Sequence, residues 1–392
     1  MQCSQKVDSR YLLFATRTLR GFIYGVFSVV TIIYLIKNNL TPLEAGLTVT
    51  ASILVSSFLT FYVTSRYGSG YSKQFLLIFS ILLLVGITGL FLSPSPMLKA
   101  IFSIVGSLGV NPSDNTLFSA YEQPIIAGIA EDQKAKNRLF ARYTFGGYIA
   151  ASFGALALNL GLNTTFKISM LFAAVVIISY VFIPSIKGKK RVNASPVSRR
   201  SKIIARDVSA LFSVDALAGG FVLQSLMAYW FSYRYGFSIS ELGYVFTVVD
   251  IITAISVLVT PYIASRIGLV RTMVFTHIPS NIFLILIPLV PTLPLSLLFL
   301  FLRQSISQMD VPTRQSYLNS VVEGEDRSYV VGMSNAMRST AQGATPYISS
   351  YMISVAAGAL SFVAGGIIKI AYDIAFYERF KALKEHYGQE KK

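Results

Sequence analysis

The sequence predicts an all-α membrane protein in which twelve transmembrane helices form two pseudo-symmetric six-helix bundles. Three observations carry this. The first is composition: of 392 residues, 53% are hydrophobic and only 13% charged, and the mean hydropathy is +0.59. Soluble domains carry about 25% charged residues. Half that value over so long a chain excludes an ordinary soluble enzyme, and the hydrophobicity excludes disorder. The second is a series of apolar runs of about 20 residues, the length that crosses a hydrocarbon core roughly 30 Å thick. The third is that residue patterns of the first half return in the second.

The runs come in order along the chain. The first half holds 11–36, 42–64, 74–92, 97–122, 138–160 and 166–184; the second holds 208–232, 241–264, 271–290, 293–319, 328–356 and 359–377. Most joins are short and carry turn residues, such as Asn38-Asn39 before Pro42 and Ser93-Pro94-Ser95-Pro96. One connection is long and polar, from Ile186 to Arg206. It divides the chain into an N-terminal bundle (1–185), a basic linker (186–206), a C-terminal bundle (207–378) and a tail (379–392). Strand periodicity is absent, which argues against a β-barrel. The first run is too long for a signal-peptide core and lacks a small-residue cleavage site after it, so it reads as a first span.

The net charge is +16. In a soluble chain such an excess points to nucleic acid. Here the basic residues lie in short segments between apolar runs, so the lipid bilayer is the expected partner and nucleic acid is not. With the N-terminus on the cytoplasmic side, twenty-three lysines and arginines fall inside, against Lys37, Lys99, Lys167 and Arg234 outside. The positive-inside rule then predicts a multi-pass plasma-membrane protein with both termini cytoplasmic. The single cysteine, Cys3, forms no internal disulfide.

The repeat is the most informative pattern. Tyr62-Val63-Thr64-Ser65-Arg66-Tyr67-Gly68 follows the second run, and Tyr262-Ile263-Ala264-Ser265-Arg266-Ile267-Gly268 follows the eighth. Thr41-Pro42-Leu43-Glu44-Ala45-Gly46 matches Ser238-Ile239-Ser240-Glu241-Leu242-Gly243, and Asp114, Tyr121 and Arg142 match Asp310, Tyr317 and Arg338. Matching loops, charges and aromatics in the same order argue for duplication of a six-helix unit. An even number of spans per unit keeps both units in one orientation, related by an axis along the membrane normal. With these features the chain resembles the major facilitator superfamily of secondary transporters over nearly its whole length. That family's turn motif between spans two and three is G-x-x-x-D-R-x-G-R-[RK]. The chain keeps Arg66 and Gly68, and Arg266 and Gly268, but has Ser65 and Ser265 where the motif has Asp, and Phe61 and Pro261 in place of its first Gly.

An ionisable residue inside a span is costly unless paired or hydrated, so each is a functional candidate. Arg303, Ser307, Asp310, Arg314 and Tyr317 are spaced four, three, four and three, on one face of span ten. Ser107, Asn111, Asp114, Phe118 and Tyr121 repeat that spacing in span four, with Glu122 alongside. Features kept in both halves suit a shared moving mechanism: Asp114 with Arg142, and Asp310 with Arg338, are expected as gate pairs, in a network with Glu122 and Arg314. Features confined to one half suit the substrate or its coupling: Arg20, Asp250 and Arg303, with Gln224 and Tyr229 adding hydrogen bonding and stacking. Arg17 and Arg138 are expected to snorkel to the cytoplasmic surface, and Lys369 with Asp373 to neutralise each other. Trp230 is read equally as an interfacial anchor.

Other chemistries lack their residues. His277 and His386 are the only histidines, and no G-x-x-x-x-G-K-[ST] loop is present. No metal, nucleotide or other cofactor is expected, nor enzymatic activity. The resemblance implies a secondary transporter with two bundles rocking about a midplane cavity, and protons as the default coupling ion. Arg20 and Arg303 favour a small organic anion as substrate. The abundant aromatics and buried Asp leave open an exporter of lipophilic or cationic compounds. A non-transporting sensor or scaffold on the same fold is the reading from another class.

Overall fold

The computed structural model describes residues 2–67, 71–111, 116–129, 133–183, 197–321 and 326–389, all of whose regular structure is helical. Gly68, Asp114, the paired acidic turns at Glu131-Asp132 and Glu325, and 186–196 of the linker lie outside the described residues. The first half runs α1 (Gln2–Lys37), α2 (Pro42–Arg66), α3 (Ser72–Leu92), α4 (Pro96–Val105), α5 (Thr116–Ile129), α6 (Gln133–Ala157) and α7 (Leu162–Phe182). The second runs α8 (Arg199–Gly220), α9 (Gln224–Tyr235), α10 (Ile239–Ile267), α11 (Leu269–Leu289), α12 (Leu293–Ser307), α13 (Asp310–Val321), α14 (Asp326–Gly343), α15 (Pro346–Ser354) and α16 (Gly358–Gln389).

Eight helices among the described residues are long and apolar enough to cross a membrane, where the sequence predicts twelve spans. The other four expected spans are filled by broken or more polar helices. Span four is α4 and α5, separated where the chain passes through positive φ at Ser107 (53°) and Gly109 (87°). Span ten is α12 and α13, broken at Gln308-Met309; span eleven is α14 and α15, broken just before Pro346. A proline at the first helical position has no N–H to continue the preceding ladder, so a new helix starts there. Span five is the intact α6, whose mean hydropathy is diluted by Asn137, Arg138, Arg142 and Thr144. Span seven is also interrupted, with α8 ending at Gly220 and α9 beginning at Gln224.

Within the first half, α1 packs on α6 and α7, and α3 on α4 and α7; within the second, α8 packs on α14 and α16, and α11 on α12 and α16. The halves meet along α6 with α10, along α2 with α14 and α15, and where α1 touches α9. The repeated sequence boxes start the helices that make these contacts. At Thr41 the hydroxyl accepts from the Glu44 N–H (3.3 Å), while the Glu44 carboxylate accepts from the Thr41 N–H (2.7 Å). Ser238 and Glu241 do the same at 3.3 and 2.8 Å. These reciprocal caps satisfy donors that a helix N-terminus otherwise strands. The glycine that closes each box lies against the opposite half. A Cβ on Gly46 would stand 2.6 Å from Ser350 Cβ, and one on Gly243 would stand 2.8 Å from the Ala155 carbonyl oxygen.

Hydrogen bonds also clasp the halves at two of the broken spans, four and seven. The first-turn N–H of Gln224 donates to Asn111 Oδ1 (2.9 Å), and the Ser225 hydroxyl donates to the Gly109 carbonyl (2.6 Å). The N-terminus of α9 is therefore capped by a side chain of the other half. The Ser350 hydroxyl adds a bond to the Pro42 carbonyl at 2.6 Å.

Candidate functional site

A cavity of about 110 Å³ lies between the halves, with room for several waters. The first half contributes Asn111, Ser119, Gln123 and Tyr148; the second contributes most of the wall, from α8, α9 and α11 through α14 and α16. The helix breaks border it: Asn111, Val222, Gln224 and Gln308 all lie on the wall. Four fixed cations (Arg303, Arg314, Arg338 and Lys369) face two carboxylates (Asp215 and Asp310), with His277 beside them.

Arg303 is placed on this wall, 6% exposed. Its Nη1 donates to Gln304 Oε1 at 2.6 Å and lies 4.0 Å from Met227 Sδ. Gln304 is itself held by the Ser307 hydroxyl (3.0 Å) and by a bond from its amide to Thr253 (3.4 Å). Among the described residues no carboxylate lies within 4.0 Å of Arg303, and its buried Nε has no partner. Asp250, fully buried on α10, is its converse: the Gln224 amide reaches one oxygen at 3.5 Å, and the other has no partner among the described residues. The same amide donates to Ser28 of α1 at 3.2 Å, so Gln224 bridges Asp250 and the opposite half. Tyr229 does not line the cavity; it is buried and edge-on to Tyr233.

Arg20 is also off the wall. It is 0% exposed, and both guanidinium nitrogens engage Glu122, at 3.0 and 2.5 Å. The Tyr180 hydroxyl donates to Glu122 (2.6 Å), Tyr143 donates to the same carboxylate, and the Phe118 ring lies 4.1 Å from the guanidinium. Glu122 thus serves Arg20. Arg17 does not snorkel but lies buried over the Tyr143 ring at 5.1 Å. Trp230 is buried between Phe231 and Phe362.

Of the expected gate residues, Asp310 pairs with Arg314 one turn along its own helix (2.5 Å). Arg338 shares the cavity wall with both, whereas Arg142 is exposed. Lys369 and Asp373 do not neutralise each other. Each reaches from α16 to a nearer partner across the bundle: Lys369 to Asp215 on α8 (2.5 Å), and Asp373 to His277 (3.0 Å) and Asn281 (3.2 Å) on α11. His277 Nε2 lies 3.9 Å from Asp215 as well. Sequence spacing missed this cluster, because its members come from three helices that share no short-range register. At the loop motif, Ser265 donates to the Tyr262 carbonyl (2.8 Å), Arg266 lies 4.3 Å over the Tyr262 ring, and Gly268 adopts φ 90° between α10 and α11. Arg66 is exposed at the end of α2, and the side chain of Ser65 lies outside the described residues.

The sequence model of the Major Facilitator Superfamily matches residues 13–303 and 209–389. The chain belongs to this superfamily. An uncharacterized membrane protein of Saccharomyces cerevisiae, YJR124C, is 25% identical over 414 aligned positions, covering 93% of this chain and 92% of that protein. Three solved superfamily structures share the fold. The human organic anion transporter MFSD10 (TETRAN) has a TM-score of 0.72 at 13% identity, covering 95% of this chain and 99% of that one. A mutant of the nucleoside transporter NupG gives 0.69 at 11%, covering 95% and 100%. The E. coli fucose:proton symporter FucP gives 0.64 at 13%, covering 96% and 99%. The chain is therefore an integral membrane protein with a superfamily fold that points to a secondary transporter rather than an enzyme.

Proposed function

We propose that the chain is a proton-coupled secondary transporter of small organic anions, working by alternating access of its two halves. In this reading it crosses the plasma membrane twelve times with both termini cytoplasmic, and the bundles are 1–185 and 207–378. The observation that carries the substrate class is Arg303, a buried guanidinium on the cavity wall with no carboxylate within 4.0 Å among the described residues. A buried charge is tolerated when it is paired. An incoming carboxylate supplies the missing partner in the two-pronged geometry that a guanidinium favours. The four-to-two excess of cations on the wall favours the same sign of ligand. That MFSD10 is an organic anion transporter supports this class, and that FucP is a fucose:proton symporter supports a proton as coupling ion. Asp250 and Gln224 join Arg303 in the proposed substrate and coupling site, and Asp310, Arg314 and Arg338 in the proposed gate.

Counterflow into proteoliposomes tests the reading, with benzoate, succinate and citrate as anions and rhodamine 6G as cation. At least one anion is expected to exchange and the dye is not. Arg303→Gln removes charge-assisted bonds worth about 1.5–3 kcal/mol, a tenfold or larger loss of affinity. Dye exchange without anion exchange would replace this reading with export of cationic compounds.

A further inference from the structure

The cluster on α8, α11 and α16 has no role in the substrate reading so far, yet it connects the cavity to a second, smaller pocket. Asp215, His277, Asp310 and Arg314 line both the main cavity and a pocket of about 10 Å³, room for a single water. Asp373 lines only the small pocket, and Lys369 only the large one. A polar path therefore leads from the cavity past Asp215 and His277 to Asp373.

The groups around His277 are few. α16 presents Lys369, Tyr372 and Asp373; α13 presents Asp310 and Arg314; α8 presents Asp215; Arg338 of α14 stands on the same cavity wall. α10 and α12 also pack on α11 but give His277 no ion pair among the described residues. Asp215 has Lys369 at 2.5 Å, and Asp310 has Arg314 at 2.5 Å. Asp373 is 2% exposed, and its one ion-pair partner among the described residues is His277. A carboxylate and an imidazole buried together, 3.0 Å apart, are compensated when they share one proton.

We infer that His277 and Asp373 together form the coupling-proton site, and that the Asp215–Lys369 pair links it to the substrate. This rests on the reading of the cavity as an anion site. An anion in the cavity competes with Asp215 for the Lys369 ammonium. Asp215 then has the His277 ring as its nearest cation, at 3.9 Å, and a proton on that ring is held more strongly. Anion and proton favour each other's binding by the same factor, because the linkage is reciprocal. The two cross together, which makes the transporter a symporter. No covalent step is involved: the proton enters the dyad from water on one side and leaves to water on the other.

Two measurements test this. The chain has only two histidines, so His386→Gln in the tail leaves His277 as the sole imidazole. Nitrogen-15 histidine NMR of that protein in detergent reads its titration with no substrate present. We expect Asp373→Asn to displace the titration midpoint by at least one pH unit; an unchanged midpoint overturns the dyad. The second measurement is the ratio of pH-gradient-driven accumulation to counterflow at symmetric pH, with the most active of benzoate, succinate and citrate. We expect His277→Gln to lower that ratio at least tenfold, with Asp373→Asn reading the same site should the first variant misfold. A ratio within twofold of the starting protein in the folded variants overturns the coupling role. Absence of counterflow for every anion in the unmodified protein defeats the anion reading instead, and with it the proposed link, while the NMR result still decides the dyad.

Discussion

Two buried arginines, 283 residues apart in sequence but chemically alike, occupy different situations. Arg20 is paired: Glu122 takes two of its nitrogens, two tyrosine hydroxyls complete the carboxylate, and Phe118 covers the guanidinium face, while its Nε, like that of Arg303, has no partner among the described residues. Arg303 has one amide oxygen and a thioether. Removing one member of a buried pair strands the other, at a cost of about 3–5 kcal/mol. Glu122→Gln is therefore expected to lower the unfolding temperature in detergent sharply. Arg303→Met strands no carboxylate and removes a poorly compensated charge, so its unfolding temperature should hold or rise while anion counterflow falls at least tenfold, the scale of a lost charge-assisted bond. Equal thermal shifts in the two variants would refute the distinction. Spacing along span ten was enough to put Arg303 on a polar face with Asp310 and Arg314. It carried no information about Arg20, whose partner lies 102 residues away. It misdirected Lys369 and Asp373, because an i,i+4 relation fixes a shared face and not the nearest opposite charge.

At the scale of elements, the four interrupted spans and the two capped ones have different origins. The caps at Thr41 and Ser238 are legible in sequence, because Ser or Thr followed three residues later by Glu encodes both hydrogen bonds. Of the breaks, the one before Pro346 carries a local signal, and so does that at Gln308-Met309: Pro312 has no N–H to bond the Gln308 carbonyl four residues back, and Gln308 also accepts there from the Tyr148 hydroxyl of the other half at 3.0 Å. The break between α8 and α9 leaves N-terminal donors that the opposite half satisfies through Asn111 and Gly109. This clasp holds the halves together in the present conformation. Asn111→Ala removes a helix cap, worth about 0.5–2 kcal/mol, and Ser225→Ala removes a second bond of about 1 kcal/mol. Together they should shift the balance away from the clasped state several-fold or more. Spin labels at Leu43→Cys and Tyr347→Cys, on a Cys3→Ser background, read the separation of the halves at the contact of α2 with α15. The double variant is expected to populate a longer distance; an unaltered distribution would mean that the clasp does not set the conformational balance.

Over the whole molecule the repeat is one of scaffold, not of charge. Both halves start their contact helices with the same cap and the same close-packed glycine, Gly46 and Gly243. Their buried charges differ. In the first half, Arg20, Glu122, Tyr143 and Tyr180 form a closed set away from the cavity wall. In the second, Asp215, His277, Arg303 and Lys369 all open onto it. The helices and their caps follow a two-fold pattern visible in sequence, whereas the charges of each half pair with partners on other helices. In the proposed reading, substrate and proton chemistry belong to the second half, and the first is a platform against which it moves. A buried ion pair replaced as a unit by apolar residues of similar volume is often neutral for stability, provided no hydroxyl is left unpaired. The combined variant Arg20→Met, Glu122→Leu, Tyr143→Phe and Tyr180→Phe meets that condition. It is expected to fold and to keep anion counterflow within a few-fold of the starting protein. The matching replacement in the second half, Asp215→Leu with Lys369→Met, should also fold but lose gradient-driven accumulation, because it removes the link between cavity and dyad. Should the first-half variant fold and yet lose counterflow, the charge set of Arg20 takes part in transport and the two halves share the chemistry.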